Sequence, residues 1–188
     1  MDTITARTYA LKGKGAFAKG HSQPVSWLAA QIAMQMRLSE AEIDEICVAG
    51  FMHDIGKIGV PESLLNKPTP LTAEEYEFTK RHAALGAKIL EVLKQTGIER
   101  VVRYHHERYD GTGYPEGLAG DKIPLGARIV AVAESFHHMV SHLPWRSACT
   151  FEDALAELRR CSGTQFDPKV VMAFLDWVET HGDPREQQ

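Results

Sequence analysis

Apolar positions recur at three- and four-residue intervals along most of the chain, the spacing that lays one stripe down an α-helix. Read for that period, the sequence predicts helices over roughly residues 23–37, 40–55, 72–80, 83–96, 98–107, 124–142, 151–161 and 167–180. No sustained alternation of apolar and polar residues supports more than a minor strand, so the expected fold class is all-α. Several helix starts carry their own chemistry. Ser39 before Glu42 and Thr72 before Glu75 fit the capping box, and Asp167 followed by Pro168 fits a cap with proline at the first helical position. Two segments resist helix: VPESLLNKPTP with three prolines, and RYDGTGYPEGLAGDKIP with four glycines and two prolines. Both are expected to be ordered loops, because periodic helices flank them closely. The end of the chain, HGDPREQQ, reads as a tail that frays.

The stripes do not stay apolar. The face made by Ile43, Ile46, Cys47 and Gly50 runs into His53, Asp54 and Lys57, although Gly56 is a candidate helix end that leaves the direction of Lys57 open. His21 leads into Val25, Leu28, Ala29 and Ile32, and His82 leads into Leu85, Gly86, Ile89 and Leu93. Ile98, Val101 and Val102 lead into His105 and His106, while Gly126, Ile129, Val130 and Ala133 are continued by Glu134 and His137.

Composition narrows what such a pattern can mean. A chain of 188 residues with 44 % hydrophobic and 24 % charged residues suits one globular domain with a substantial core. A net charge of −4 provides no global basic field for a nucleic-acid polymer or an anionic membrane. Cys47, Cys149 and Cys161 are three in number without close pairing, which suits reduced packing thiols. There is no apolar run of about 18 residues and no signal-peptide pattern at the N-terminus, so a cytoplasmic protein is expected, without a membrane partner.

One histidine on an apolar face is usually a hydrogen-bonded core residue. Five such positions, His21, His53, His82, His105 and His106, together with the carboxylates Asp54 and Glu134, are a different case. Burying so many polar groups without partners would cost several kcal/mol each, roughly 2–7 by transfer estimates, so they must share partners, and metal ions satisfy imidazoles and carboxylates together. A donor set of imidazole and carboxylate without thiolate suits Fe, Mn, Ni or Zn rather than a cysteine-rich structural zinc. Six or seven ligands exceed what one four-coordinate ion takes. Asp54, next to His53, is placed to bridge two ions, and two-metal sites drive in-line attack on phosphoryl centres.

Two stretches also resemble a known family. HDIGK at 53–57 and HHERYDGTGYP at 105–115 look like the signatures of HD-GYP domains, a branch of the HD superfamily of metal-dependent phosphohydrolases. The likeness runs from about residue 16 to residue 175 and includes GHS at 20–22 and GTQFDPKVV at 163–171. It divides the chain into an N-terminal segment at 1–15, the domain at 16–181 and the tail at 182–188. The resemblance implies an all-α bundle with a metal centre that hydrolyses cyclic di-GMP to pGpG or GMP. It implies two divalent ions, Fe or Mn first and Ni or Zn as alternatives, one on His21, His53, Asp54 and Glu134 and the other on Asp54, His82, His105 and His106. It also implies catalytic roles for Asp54 and Lys57, with Lys57 neutralising a phosphate oxygen. Tyr114 and Gly113 of the GYP loop and Arg146 are the substrate contacts that it implies, and a GGDEF-domain protein is the implied partner of that loop. Gly111 and Gly113 are expected to adopt backbone conformations closed to other residues, and Tyr114 to stack on a base.

The chain departs from the pattern in places. Phe17 stands where the three-metal subgroup has a glutamate, which argues for two ions. AESFHHMV and SHLPWR replace the family's ADxFDAL and SDRPYR, putting Glu134 for the metal-binding aspartate, His137 for the next aspartate and Leu143 for one phosphate-binding arginine. Losing one charge-assisted contact is worth about 1.5–3 kcal/mol, so reduced activity is expected. His137, His138 and His142 are expected to pack or face solvent, with a donor in place of the missing arginine as the alternative. Two other functions stay open: an HD-type hydrolase of another nucleotide or phosphate ester, and a catalytically weak nucleotide-sensing or protein-interaction module.

Overall fold

The structure, a computed structural model, describes residues 21–94, 97–142 and 147–187. It is helical: α1 Ser22–Gln35, α2 Glu40–Met52, the single turn α3 Glu62–Leu65, α4 Ala73–Val92, α5 Ile98–Tyr104, α6 Leu125–Val140, α7 Phe151–Arg160 and α8 Pro168–His181. Among the described residues there are no strands, only isolated bridges between Asp110 and Ala119 and between Ser162 and Phe166. The capping boxes at Ser39 and Thr72 are both formed, and Asp167 caps α8 by accepting from the Lys169 amide at 2.8 Å.

α1 runs through the middle, packed on α2, α6 and α8, with Val25, Leu28, Ala29, Ile32 and Ala33 buried along it. Small residues set how close its neighbours come. A Cβ on Gly50 of α2 would stand 3.1 Å from the Ser26 Cα, and the Ser26 hydroxyl donates to the Cys47 carbonyl at 2.6 Å. α6 supplies the opposite wall through Ile129, Val130, Ala133 and Phe136, and Phe136 packs on Phe174 of α8. A buried ion pair of Arg128 with Asp167, at 2.6 Å, holds α6 to the cap of α8. None of the three cysteines is in a disulfide, and no helix among the described residues is long and apolar enough to cross a membrane.

The structure differs from the periodicity reading in several places. The stretches 72–80 and 83–96, read as two helices, give way to one helix from Ala73 to Val92, because nothing between Thr79 and Ala83 breaks the backbone ladder; residues 95 and 96 lie outside the described residues. The helix read over 98–107 ends at Tyr104, so His105 and His106 follow it. α2 stops at Met52 rather than near residue 55; His53 closes it and the chain tightens into a 3₁₀ turn over Ile55–Gly59. Residues 182–187, read as a fraying tail, contain a 3₁₀ turn at Pro184–Glu186 with Pro184 buried and Asp183 capping it. The proline-rich segment 60–70 holds the single turn α3, and the glycine-rich one a 3₁₀ turn at Gly120–Lys122.

The tight turn after α2 positions everything that follows. Gly56 lies directly on α4, where a Cβ would fall on the His82 carbonyl and the Gly86 amide. Only a bare backbone fits there. That approach sets His53 and Asp54 against His82. Gly56→Ala is therefore expected to destabilise the fold by about 1–3 kcal/mol, the usual cost of forcing an extra methyl into a packed contact. Chemical denaturation checks it, and an unchanged midpoint would mean that the turn has room to move.

Candidate metal centre

Four helix ends and two helix interiors meet at the site. His21 is the N-cap of α1, His53 ends α2, Asp54 precedes the 3₁₀ turn, His82 lies midway along α4, and His105 and His106 follow α5. Glu134 reaches in from α6. His53, His105, His82 and Glu134 are 0 %, 1 %, 4 % and 5 % exposed. Asp54 stands between two sets of histidines: its Oδ2 is 3.3 Å from His53 Nε2, and its Oδ1 is 3.5 Å from His82 Nε2. Ligand atoms of His82, His105 and His106 lie within 4.8 Å of one another, as do those of His21, His53 and Asp54.

The backbone decides which ring nitrogen faces inward. His53, His82 and His105 each place Nδ1 on the carbonyl three residues earlier, Gly50, Thr79 and Val102, at 2.7, 2.7 and 2.6 Å. A carbonyl only accepts, so each Nδ1 carries a proton and donates, and each Nε2 turns toward the centre. His82 Nε2 and His105 Nε2 then face each other at 3.4 Å. Two lone pairs at that distance repel, and a shared cation relieves the repulsion. The buried His21 Nε2, His53 Nε2 and Asp54 Oδ1 likewise find no well-formed hydrogen bond among the protein's own atoms. This donor set fits divalent metal.

The electrostatics agree for most of the rings. Burial lowers the pKa of His82, and burial together with the neighbouring histidines holds His105 and His106 well below the usual imidazole range. Burial and the nearby His53 push His21 down to about 2. These rings are neutral, the form that ligates. Burial also opposes charge on His53, but the Asp54 carboxylate, aided by Glu134, overrides it and raises that ring to about 9. Glu134 is pushed up to about 7, chiefly by burial, with Asp54 adding to it and His53 opposing.

Lys57 sits in the 3₁₀ turn with Nζ 2.6 Å from Asp54 Oδ2 and 41 % of its side chain exposed, so it borders the site through the same carboxylate that lies between the histidines. Tyr114 uses one ring face on His106, with centroids 4.8 Å apart and planes at 28°, and Lys80 lies 5.3 Å from its centre. The expectation that Gly111 and Gly113 both need unusual dihedrals holds for Gly111, at φ 81°, and not for Gly113. Gly113 is required by proximity instead, since a Cβ would strike the backbone of His106, Glu107 and Arg108. Arg146, Leu143 and Phe17 lie outside the described residues.

Two participants escaped the sequence reading. Glu107 is 4 % exposed and its carboxylate accepts from the amides of Glu116 and Leu118 at 2.8 and 3.1 Å, tying the GYP loop to the end of α5. Nothing in the periodicity marks it, because it follows the helix. His138, expected to pack or face solvent, stacks on His21 with ring centroids 4.4 Å apart, and its Nδ1 is 3.9 Å from Glu134 Oε1. Its place one turn after Glu134 was a signal available in the sequence. His137 lies beside it, 5.0 Å from the His21 ring, with Ser141 Oγ at 3.4 Å, and His142 accepts from the Ala148 amide at 3.5 Å.

Comparison with known proteins places this geometry. Residues 9–170 match the HD domain family. A cyclic di-GMP phosphodiesterase of Thermotoga maritima is 45 % identical over 159 residues, covering 82 % of this chain and 43 % of that protein. The cyclic di-GMP phosphodiesterase response regulator RpfG of Xanthomonas campestris is 40 % identical over 177 residues, 93 % of this chain and 47 % of that one. The chain thus spans less than half the length of these relatives. In fold it is similar to a cyclic GMP-AMP specific phosphodiesterase of Vibrio cholerae, with a TM-score of 0.67 at 22 % identity over 86 % of this chain and 44 % of that one.

The Glu107 clamp makes a separable prediction. Glu107→Ala removes two charge-assisted hydrogen bonds, each worth about 1.5–3 kcal/mol. Amide hydrogen exchange at Glu116 and Leu118 is expected to accelerate at least about tenfold while α1 stays protected; equal protection in both would mean that the loop is held by other contacts.

Proposed function

The chain belongs to the HD domain family, and on that premise we propose that it is a metal-dependent phosphodiesterase that opens cyclic di-GMP to pGpG or GMP. The observation that carries the reading is the inward convergence of buried imidazole nitrogens on Asp54, from rings whose outer nitrogens are locked to backbone carbonyls. The names of the two bacterial relatives support the substrate class.

Two divalent ions, Fe or Mn before Ni or Zn, would be held by His21, His53, Asp54 and Glu134 on one side and by Asp54, His82, His105 and His106 on the other. Such ions supply Lewis acidity toward phosphoryl oxygens and make water a nucleophile at neutral pH. The chain's own residues do the rest. The backbone carbonyls of Gly50, Thr79 and Val102 fix three imidazoles in one tautomer before substrate arrives, so no reorganisation is needed. Lys57, anchored by Asp54 at the edge of the site, offers its ammonium to a phosphate oxygen, and Arg146 gives a second positive contact. Tyr114, leaning on His106, walls the site where a guanine would lie, with the Gly113 backbone beside it. The exposed tip at Pro115–Gly117 is the surface offered to a GGDEF-domain partner.

The test is hydrolysis of cyclic di-GMP by purified protein loaded anaerobically with Fe or Mn, set beside cyclic GMP-AMP and a simple phosphate diester. Turnover of cyclic di-GMP that chelator abolishes and metal restores is expected. Asp54→Ala is expected to lose at least about 100-fold, since even an outer partner of a metal ligand costs about 10–100-fold and Asp54 would be a ligand itself. Metal-loaded protein that leaves cyclic di-GMP intact while cleaving cyclic GMP-AMP would move the substrate; one that cleaves nothing would overturn the reading as an enzyme.

A further inference from the structure

α6 sends two donors toward the centre. Glu134 and His138 are one helical turn apart, so they share a face, and residues at that spacing have Cβ atoms about 5–6 Å apart. His138 Nδ1 lies 3.9 Å from Glu134 Oε1, and its ring lies parallel to that of His21, within 10°, at 4.4 Å. One ligand atom from each of His21, Glu134 and His138 falls within 4.8 Å of the other two, forming a third group that shares His21 with the His21, His53 and Asp54 group. The supporting surroundings are buried: Glu134 is enclosed, and the buried His21 Nε2 has no hydrogen-bond partner of its own.

Resting on the metal centre proposed above, we infer that His138 is a metal ligand, joining Glu134 as a chelating pair on α6 and giving the ion on the His21 side a second α6 donor. The spacing is the one that lets two histidines four apart on a helix grip a single ion. With His21, His53, Asp54 and Glu134, His138 would make three imidazoles and two carboxylates, five donors that leave a six-coordinate divalent ion one position open. The side chain of His138 is 41 % exposed, which places this donor at the mouth of the centre, where a ligand can bind without closing the site. The pair also gives the glutamate at 134 a role that an aspartate lacks: its longer stem brings its oxygen level with a ligand one turn further along.

The experiment reads metal directly. His138→Phe keeps an aromatic ring against His21 and removes the donor nitrogens; His138→Ala removes both. Metal content per chain, competition with a chelator, and the visible absorption of the Co(II)-loaded protein are compared with the parent. In both variants one of two ions is expected to bind at least tenfold more weakly and the Co(II) bands to change, with the metal-free protein unfolding at the parent's temperature. His138→Phe binding both ions as the parent does would overturn the inference, reduce the contact to ring stacking and leave the proposed phosphodiesterase standing. A parent that binds no metal would overturn both.

Discussion

Seven ionisable or ligating side chains are buried at one end of a helical bundle, and the cost of keeping them there governs the architecture. Each would be worth several kcal/mol of destabilisation if left alone, roughly 2–7 by transfer estimates. The protein meets that cost halfway. It satisfies the outer nitrogen of His53, His82 and His105 with a carbonyl from the same helix, three residues back, and leaves the inner nitrogens to one another and to Asp54. A half-satisfied polar network is poor packing but a good receptor for cations.

The backbone around the centre follows from that requirement. Helix ends bring donors in because the last residues of a helix are where a side chain can turn away from the bundle axis while its carbonyl neighbours remain in reach. The glycine at 56 lets the α2 exit lie on α4, so that adjacent residues His53 and Asp54 face His82 across it. Glu107 performs the matching task on the other side, fastening the loop that carries Tyr114 to the end of α5. His53, His82, His105 and Glu134 therefore sit buried on packed elements, while residues 115–117 of the loop are exposed.

Among the described residues, the departures from the HD-GYP pattern at Glu134 and His137 lie on α6. Glu134, His137 and His138 occupy consecutive or near-consecutive positions on one helix, and their rings and carboxylate crowd the same histidine, His21. Glu134 and His138, one turn apart, thus bring a carboxylate and an imidazole to the same side of His21.

The sequence by itself determined the all-α class, the capped starts at Ser39, Thr72 and Asp167, and the candidate set His21, His53, Asp54, His82, His105, His106 and Glu134, because helical period and capping are local properties written within a few residues. Periodicity also showed that these residues continue apolar faces. It could not show that α2 stops at Met52, that residues 73–92 are one helix, that Gly113 is needed for closeness and not for its dihedrals, that Glu107 fastens the loop, or that His138 stacks on His21. Those depend on which helix end lies against which neighbour, and distances between residues far apart in the chain are set only when the bundle closes. Tertiary packing alone decided the distances that set Asp54 between His53 and His82.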